Sequence, residues 1–273
     1  MEALAPRTQK DYRRHLAKLR EAFGNVPASE LEPRQLAEWM DVKRGRQQRN
    51  RQLAVLSSVY TKAIRRWHWV KVNPCRETER HEAKPRTRLI ADKEFYACKA
   101  LAQIRVQRAM ELALKTGQRQ GDILNFRWSD ITETEIDDPD KPGQKKVVTE
   151  LNVFQTKTGK RLGIGIDKEL EGILDACWLL KGGGKDGSPY ILATRSGKRY
   201  TSEGFRACWQ RTMQRWMRQG GENFHFHDIR ALCASKCKTP EEAMRLLGHT
   251  TLAMTLRVYR RGVERVPCLP GSA

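Results

Sequence analysis

The sequence predicts a mainly α-helical protein with a small antiparallel β-sheet, built as an N-terminal helical bundle followed by a mixed α+β domain. Three observations lead there. Apolar residues recur at helical spacing through most of the chain. Alternation of apolar and polar residues is confined to short runs between residues 131 and 166. A polar stretch with two prolines and no apolar periodicity, 74–90, separates two periodic regions. At 273 residues, 39% of them hydrophobic, each region is long enough to bury a core. The expected division is 1–82, a linker at 83–90, and 91–273 with a tail from about 262.

In the first region, residues 8–23 place Tyr12, Leu16, Leu19 and Phe23 on one helical stripe, ended by Gly24-Asn25. Pro33 opens a short second helix with Leu36 and Trp39 inward. A third runs from Asn50 to about Trp69 on Leu53, Leu56, Val59, Tyr60 and Ile64. Its other face carries Arg49, Arg51, Lys62, Arg65 and Arg66.

In the second region one helix is expected from Asp92 to Thr116, stopped by Gly117, with Leu101, Ile104, Ala109, Leu112 and Ala113 inward. Strands follow at 131–137, 147–154 and 162–166, the first two joined by a turn-rich loop with Pro139, Pro142 and Gly143. Residues 168–181 form an amphipathic helix on Leu170, Ile173, Leu174 and Trp178. Gly-rich 182–188 is a flexible loop, and no Gly-Lys-Ser/Thr follows a strand there, which excludes a P-loop. A helix at 201–219 comes next. Thr239-Pro240-Glu241-Glu242 starts another, with threonine as cap and glutamate closing a capping box, and Gly248 stops it. A short last helix carries Tyr259. Pro267 and Pro270 forbid a long helix in the tail.

The net charge is +20, from 52 Lys+Arg against 32 Asp+Glu. Such an excess points to a polyanionic partner, because each neutralised phosphate releases counterions. Residues 1–90 hold 21 basic and 10 acidic side chains and so form the denser electrostatic footprint. Seven cysteines contain no Cys-x-x-Cys pair and no zinc set, and they read as reduced thiols of a cytosolic protein. No apolar run of 18 residues exists and the N-terminus is charged from Glu2, which argues against a spanning helix and a secretory signal.

The polar residues of the last quarter carry the most information. A three-residue step puts His227 and Arg230 on one helix face, within reach of a common anion. His227-x-x-Arg230, then Leu247-Gly248-His249, then Tyr259, resembles the C-terminal signature of the tyrosine recombinases, the phage-integrase family. A second block, Thr116-Gly117, Arg119, Asp122, Leu124, Trp128 and Asp130, is similar to the same family's first-arginine motif. Thr156–Gly159 spells the Thr-Lys-Thr-Gly of its catalytic-lysine hairpin, which implies Lys157, with Lys160 as the rival. The spacing from His249 to Tyr259 is ten, where nine is also common in the family, and Asp122 replaces the more usual glutamate.

The resemblance implies a helical core-type DNA-binding domain, with Arg49, Arg51, Lys62, Arg65 and Arg66 on the duplex. It also implies a catalytic domain of the DNA breaking-rejoining type. The expected enzyme is a site-specific recombinase of a phage or mobile element, working as a tetramer on double-stranded attachment-type sites in the host cytoplasm. An accessory DNA-bending protein is a candidate partner. Tyr259 would attack phosphorus and form a 3′-phosphotyrosine. Arg119 and Arg230 would fork onto the non-bridging oxygens, Lys157 would protonate the departing 5′-oxygen, and His227 would serve as base or phosphate ligand. His249 would donate to the phosphate, and Asp122 would anchor His227 or an arginine. These cationic groups substitute for a metal, so neither metal nor nucleotide cofactor is expected. Only a few residues precede the first helix, so the N-terminal arm-binding domain of many integrases is missing here, naturally or by truncation. The alternatives are a type IB topoisomerase-like relaxing enzyme and a DNA-binding regulator without catalysis.

Overall fold

The computed structural model describes the chain except for residues 1–3, 43–44, 83–87, 138–142, 181–186 and 257–273. The chain divides into two compact units, Met1–Pro85 and Arg86–Ala273.

The first unit contains α1 (Pro6–Phe23), α2 (Pro33–Met40) and α3 (Arg46–Lys62). Prolines open α1 and α2, where their missing N–H costs nothing. The core gathers Leu31, Leu36, Met40, Leu53, Tyr60, Ala63, Val70 and Cys75. The third helix departs from the expected continuous run to Trp69. It passes at Ala63–Trp67 into a π-helical turn that ends at His68, with φ +54°. Residues 74–82, polar and without apolar periodicity, are nevertheless packed: Pro74 and Cys75 are buried. Asn73 caps this segment through Cys75 N at 3.1 Å, and Asn50 exchanges hydrogen bonds with the backbone of His81 at 2.7 and 3.0 Å. The cause is side-chain amides rather than apolar periodicity, so the pattern of the sequence does not show it.

In the second unit the expected helix 92–116 is two helices, α4 (Asp92–Ala100) and α5 (Ile104–Thr116). The carbonyls released at the break find side-chain donors: Arg215 donates to Leu101 O at 3.2 Å and Gln107 to Ala102 O at 2.9 Å. Helix α5 buries Val106, Ala109, Met110, Leu112 and Ala113 in the main core. After α6 (Gln120–Ile123), strands β1 (Ile131–Asp137), β2 (Lys145–Phe154) and β3 (Arg161–Gly165) form an antiparallel sheet in that order. Register pairs Ile131 with Leu151 and Leu151 with Ile164, so one face turns apolar residues to the core.

Helix α7 (Lys168–Trp178) is capped by Asp167, whose Oδ1 accepts from Leu170 N at 2.9 Å. Cys177 is buried where Trp178 was expected to be; Trp178 is 48% exposed and meets Trp128 edge-on. Helix α8 (Ser202–Arg218) brings Phe205 and Trp209 against Phe224 and Phe226. Helices α9 (Asp228–Lys236), α10 (Pro240–Leu247) and α11 (Leu252–Met254) complete the described chain. Thr239 caps α10 as expected, its Oγ1 accepting from Glu242 N at 3.1 Å, but the Glu242 carboxylate reaches past Thr239 to Lys238 N at 2.8 Å. The six described cysteines are free thiols. No described helix is long and apolar enough to cross a membrane.

Candidate active site

Two left-handed glycines set the backbone of the site. Gly117 ends α5 at φ +64°, and a Cβ there would come within 2.8 Å of Leu247 Cδ2 and 3.0 Å of Cys233 Sγ. Gly248 ends α10 at φ +65°, where a Cβ would meet the Gln155 amide at 2.6 Å. Only a residue without a side chain fits either place, in conformation and in space. The loop after α5 and the loop after α10 thus lie against each other, and Arg119 and His249 follow them directly.

Arg230, in the first turn of α9, points into this junction and is 1% exposed. Its Nη1 donates to the Gly117 carbonyl, and its Nη2 to the Leu247 carbonyl at 2.5 Å. A buried guanidinium thereby ties together the ends of α5 and α10. Arg119 caps α6, and its side chain is 17% exposed. Its Nη1 donates to Gln155 Oε1 at 3.0 Å. Gln155 Nε2 donates to the Leu247 carbonyl at 3.0 Å, the same oxygen that receives Arg230. The two arginines are therefore linked by three hydrogen bonds through Gln155 and the Leu247 carbonyl.

Gln155 has no counterpart in the sequence reading. It is fully buried, at 0% exposure. Its Oε1 also accepts from Thr158 Oγ1 at 2.9 Å, and its Nε2 also donates to Gln118 Oε1 at 2.7 Å. Both donors and both acceptor positions of the amide are used. A glutamine ending a strand gives no periodic signal, and only the glycine at 248 hints that something presses against it.

His249 is 3% exposed. Its Nε2 lies 3.2 Å from Arg230 Nη2 and its Nδ1 2.8 Å from Thr255 Oγ1. A guanidinium nitrogen has only protons to offer, so Nε2 accepts and the ring proton sits on Nδ1, donating to Thr255. Burial, then Arg230, Arg119, Lys160 and His227, push its pKa down to about 4. The ring is neutral, with its proton on Nδ1, so the donor role expected from sequence calls for the other tautomer.

Asp122, 2% exposed, was expected to anchor His227 or an arginine. Its Oδ2 pairs with Arg119 Nη1 at 4.0 Å, and its Oδ1 accepts from Thr156 N at 3.0 Å and Thr156 Oγ1 at 2.8 Å. It holds the root of the turn bearing Lys157. That turn is closed by Gly159 N donating to the Gln155 carbonyl at 2.8 Å. Lys157 is exposed at its tip; Lys160 is half-buried and is the lysine whose charge reaches His249.

His227 is exposed at the N-terminus of α9, and its charge also reaches His249. Arg119, Arg230 and His249 thus share one electropositive junction, whose field the charges of Lys160 and His227 add to, with Asp122 and Gln155 bonded beside it. Tyr259 lies outside the described residues. In the first unit Arg51, Lys62, Arg65 and Arg66 are exposed. Arg49 is half-buried and differs: it donates to the Trp39 carbonyl and lies 4.9 Å over that residue's ring. No cluster of three or more His, Cys, Asp or Glu able to hold a metal occurs among the described residues.

The sequence profile described as the phage integrase family matches residues 91–264. The integrase of Escherichia phage HK022 is 25% identical over 275 residues, covering 96% of this chain and 72% of that protein. The chain is 29% identical to the integrases of Enterobacteria phage 434 and Escherichia phage lambda, and spans 58% of the length of each. Among solved structures, a lambda integrase (75–356) dimer bound to a COC′ core site superposes with a TM-score of 0.78 at 22% identity, covering 97% of this chain and 93% of that one. A lambda integrase tetramer bound to a Holliday junction gives 0.75 at 22% identity, covering 98% and 76%. At that identity these structures establish the shared fold.

Proposed function

The chain belongs to the phage integrase family, tyrosine recombinases that cut and rejoin DNA strands in site-specific recombination, and we propose that its own chemistry runs through the junction of Arg119, Arg230 and His249, with Tyr259 as nucleophile. The observation that carries this reading is the hydrogen-bonded line from Arg119 through Gln155 and the Leu247 carbonyl to Arg230 and His249. It supports a reading in which two permanent positive charges and a neutral imidazole are held together by one hydrogen-bonded network. Such preorganisation stabilises charge that develops on a phosphoryl group in the transition state.

The Tyr259 hydroxyl attacks phosphorus as His227 takes its proton, the bond to the 5′-oxygen breaks, and a 3′-phosphotyrosine forms. The bond energy is kept in the ester, and rejoining reverses the step. Arg119 and Arg230 neutralise the non-bridging oxygens. Lys157 protonates the leaving oxygen, with Lys160 the alternative because its charge is felt at His249. An incoming phosphate displaces the His249 Nε2 from Arg230. The Thr255 hydroxyl both donates and accepts, so the ring can move its proton to Nε2 while keeping its bond to Thr255. His249 then donates to a phosphate oxygen. Asp122 and Gln155 position the lysine turn and Arg119.

The working assembly is a tetramer on two double-stranded attachment-type sites, in the host cytoplasm and aided by a DNA-bending protein. The tetramer of lambda integrase on a Holliday junction supports this assembly by analogy. A nicked duplex that loses its 5′-hydroxyl fragment after cleavage tests the chemistry. Wild type should accumulate a covalent DNA adduct on its cognate site and Tyr259→Phe should give none. Binding without an adduct would favour a regulator, and sequence-independent relaxation of supercoiled plasmid would favour the topoisomerase.

A further inference from the structure

We propose that Trp67 and Trp69 form a stacking platform for an unpaired nucleobase of the DNA on which this chain acts, a reading that rests on the DNA-directed function above. The two indoles stack on each other, with ring centroids 4.7 Å apart and planes at 27°. They are 43% and 72% exposed, and the adjacent Val70 is turned into the core at 9%. The core of this unit is closed without them. A water-facing tryptophan pair leaves a large apolar surface unburied, which folding alone does not favour.

The backbone that presents them is unusual. The π-helical turn Ala63–Trp67 precedes His68, the one non-glycine residue with positive φ among the described residues. Trp69 N donates back to the Ala63 carbonyl at 3.1 Å and locks the reversal. π-Turns and left-handed non-glycine residues are disfavoured and concentrate at functional places. Here they turn the second indole outward beside the first.

The surroundings select the occupant. Residues 42–76 contain ten Lys or Arg and no Asp or Glu. Arg65, Arg66 and Lys71, all exposed, flank the pair directly. An aromatic face rimmed by cations fits a base with its phosphates: the base stacks on the outer face of Trp69 while the cations hold the backbone.

The test measures binding of the full chain to a paired duplex and to the same duplex with a short single-stranded gap, across a salt series. Wild type, Trp69→Ala, Trp69→Phe and Arg66→Ala are compared after thermal melting has shown that each folds. The expected result is that Trp69→Ala weakens binding to gapped DNA by at least about fivefold, spares the paired duplex, and leaves the salt slope unchanged. Trp69→Phe restores most of the loss, and Arg66→Ala lowers the salt slope on both DNAs. Equal binding of Trp69→Ala and wild type to both DNAs overturns the proposal while leaving the DNA-directed function standing. A loss confined to self-association, seen by sedimentation, also overturns it and marks the pair as a contact between copies. Failure of the wild type to bind either DNA defeats both readings.

Discussion

His249 Nε2 faces Arg230 Nη2 at 3.2 Å, so a neutral ring occupies the place beside a buried guanidinium where an anion would sit. The arrangement holds the arginine's charge next to the site without exposing it to water, and it makes the histidine's protonation state a consequence of its neighbours.

His249 is held neutral with its pKa near 4 when folded, below the ordinary 6.5. Between those values the unfolded chain binds the additional proton, so stability falls as pH drops from about 6.5 to 4 and this contribution levels off below. His249→Gln should flatten that part of the profile relative to wild type. Urea midpoints measured from pH 4 to 7 check it; parallel profiles would show that the ring is not held neutral.

Arg230→Lys keeps the charge but replaces a planar fork by a point donor that cannot span the Gly117 and Leu247 carbonyls. A loss of about 1–3 kcal/mol in stability is expected from the carbonyl left unsatisfied. Strand cleavage should fall about a hundredfold or more. Denaturant unfolding and single-turnover cleavage measure the two effects.

Gln155→Leu is close in volume and removes all four hydrogen bonds of the amide. Stability should drop by about 2–3 kcal/mol. Cleavage should drop about ten- to a hundredfold, because Arg119 and the lysine turn lose their common support. DNA affinity, governed mainly by phosphate contacts elsewhere, should change little. Cleavage at the wild-type rate would remove Gln155 from the account.

Asp122→Ala should free the turn at 156–158 without unfolding the domain. Hydrogen exchange at Thr156 N, protected by Asp122 Oδ1, should rise while exchange in α5 stays constant. Cleavage should slow more than binding weakens.

Much of this architecture can be read from the chain, for physical reasons that differ by residue. Gly117 and Gly248 punctuate helices, so the loops that present Arg119 and His249 are visible in the sequence. The alternation of Val147 to Val153 announces β2. What escapes is tertiary. The break at residues 101–103 is secured by Arg215 and Gln107, one of them far away in sequence. The π-turn at 63–67 departs from a helical pattern that is locally continuous. Gln155 and the inward turn of Arg49 depend on partners that no spacing rule links.

The central claim is that Arg119 and Arg230 act on one phosphate. A double-mutant cycle on single-turnover cleavage of a nicked cognate duplex tests it most directly, with Arg119→Lys, Arg230→Lys and the double variant, each shown to be folded. If the two guanidinium groups grip the same phosphoryl oxygens, their effects are strongly non-additive, and the double variant is scarcely slower than the worse single one. Free-energy costs that simply add would contradict it, since they would place the two arginines in independent roles.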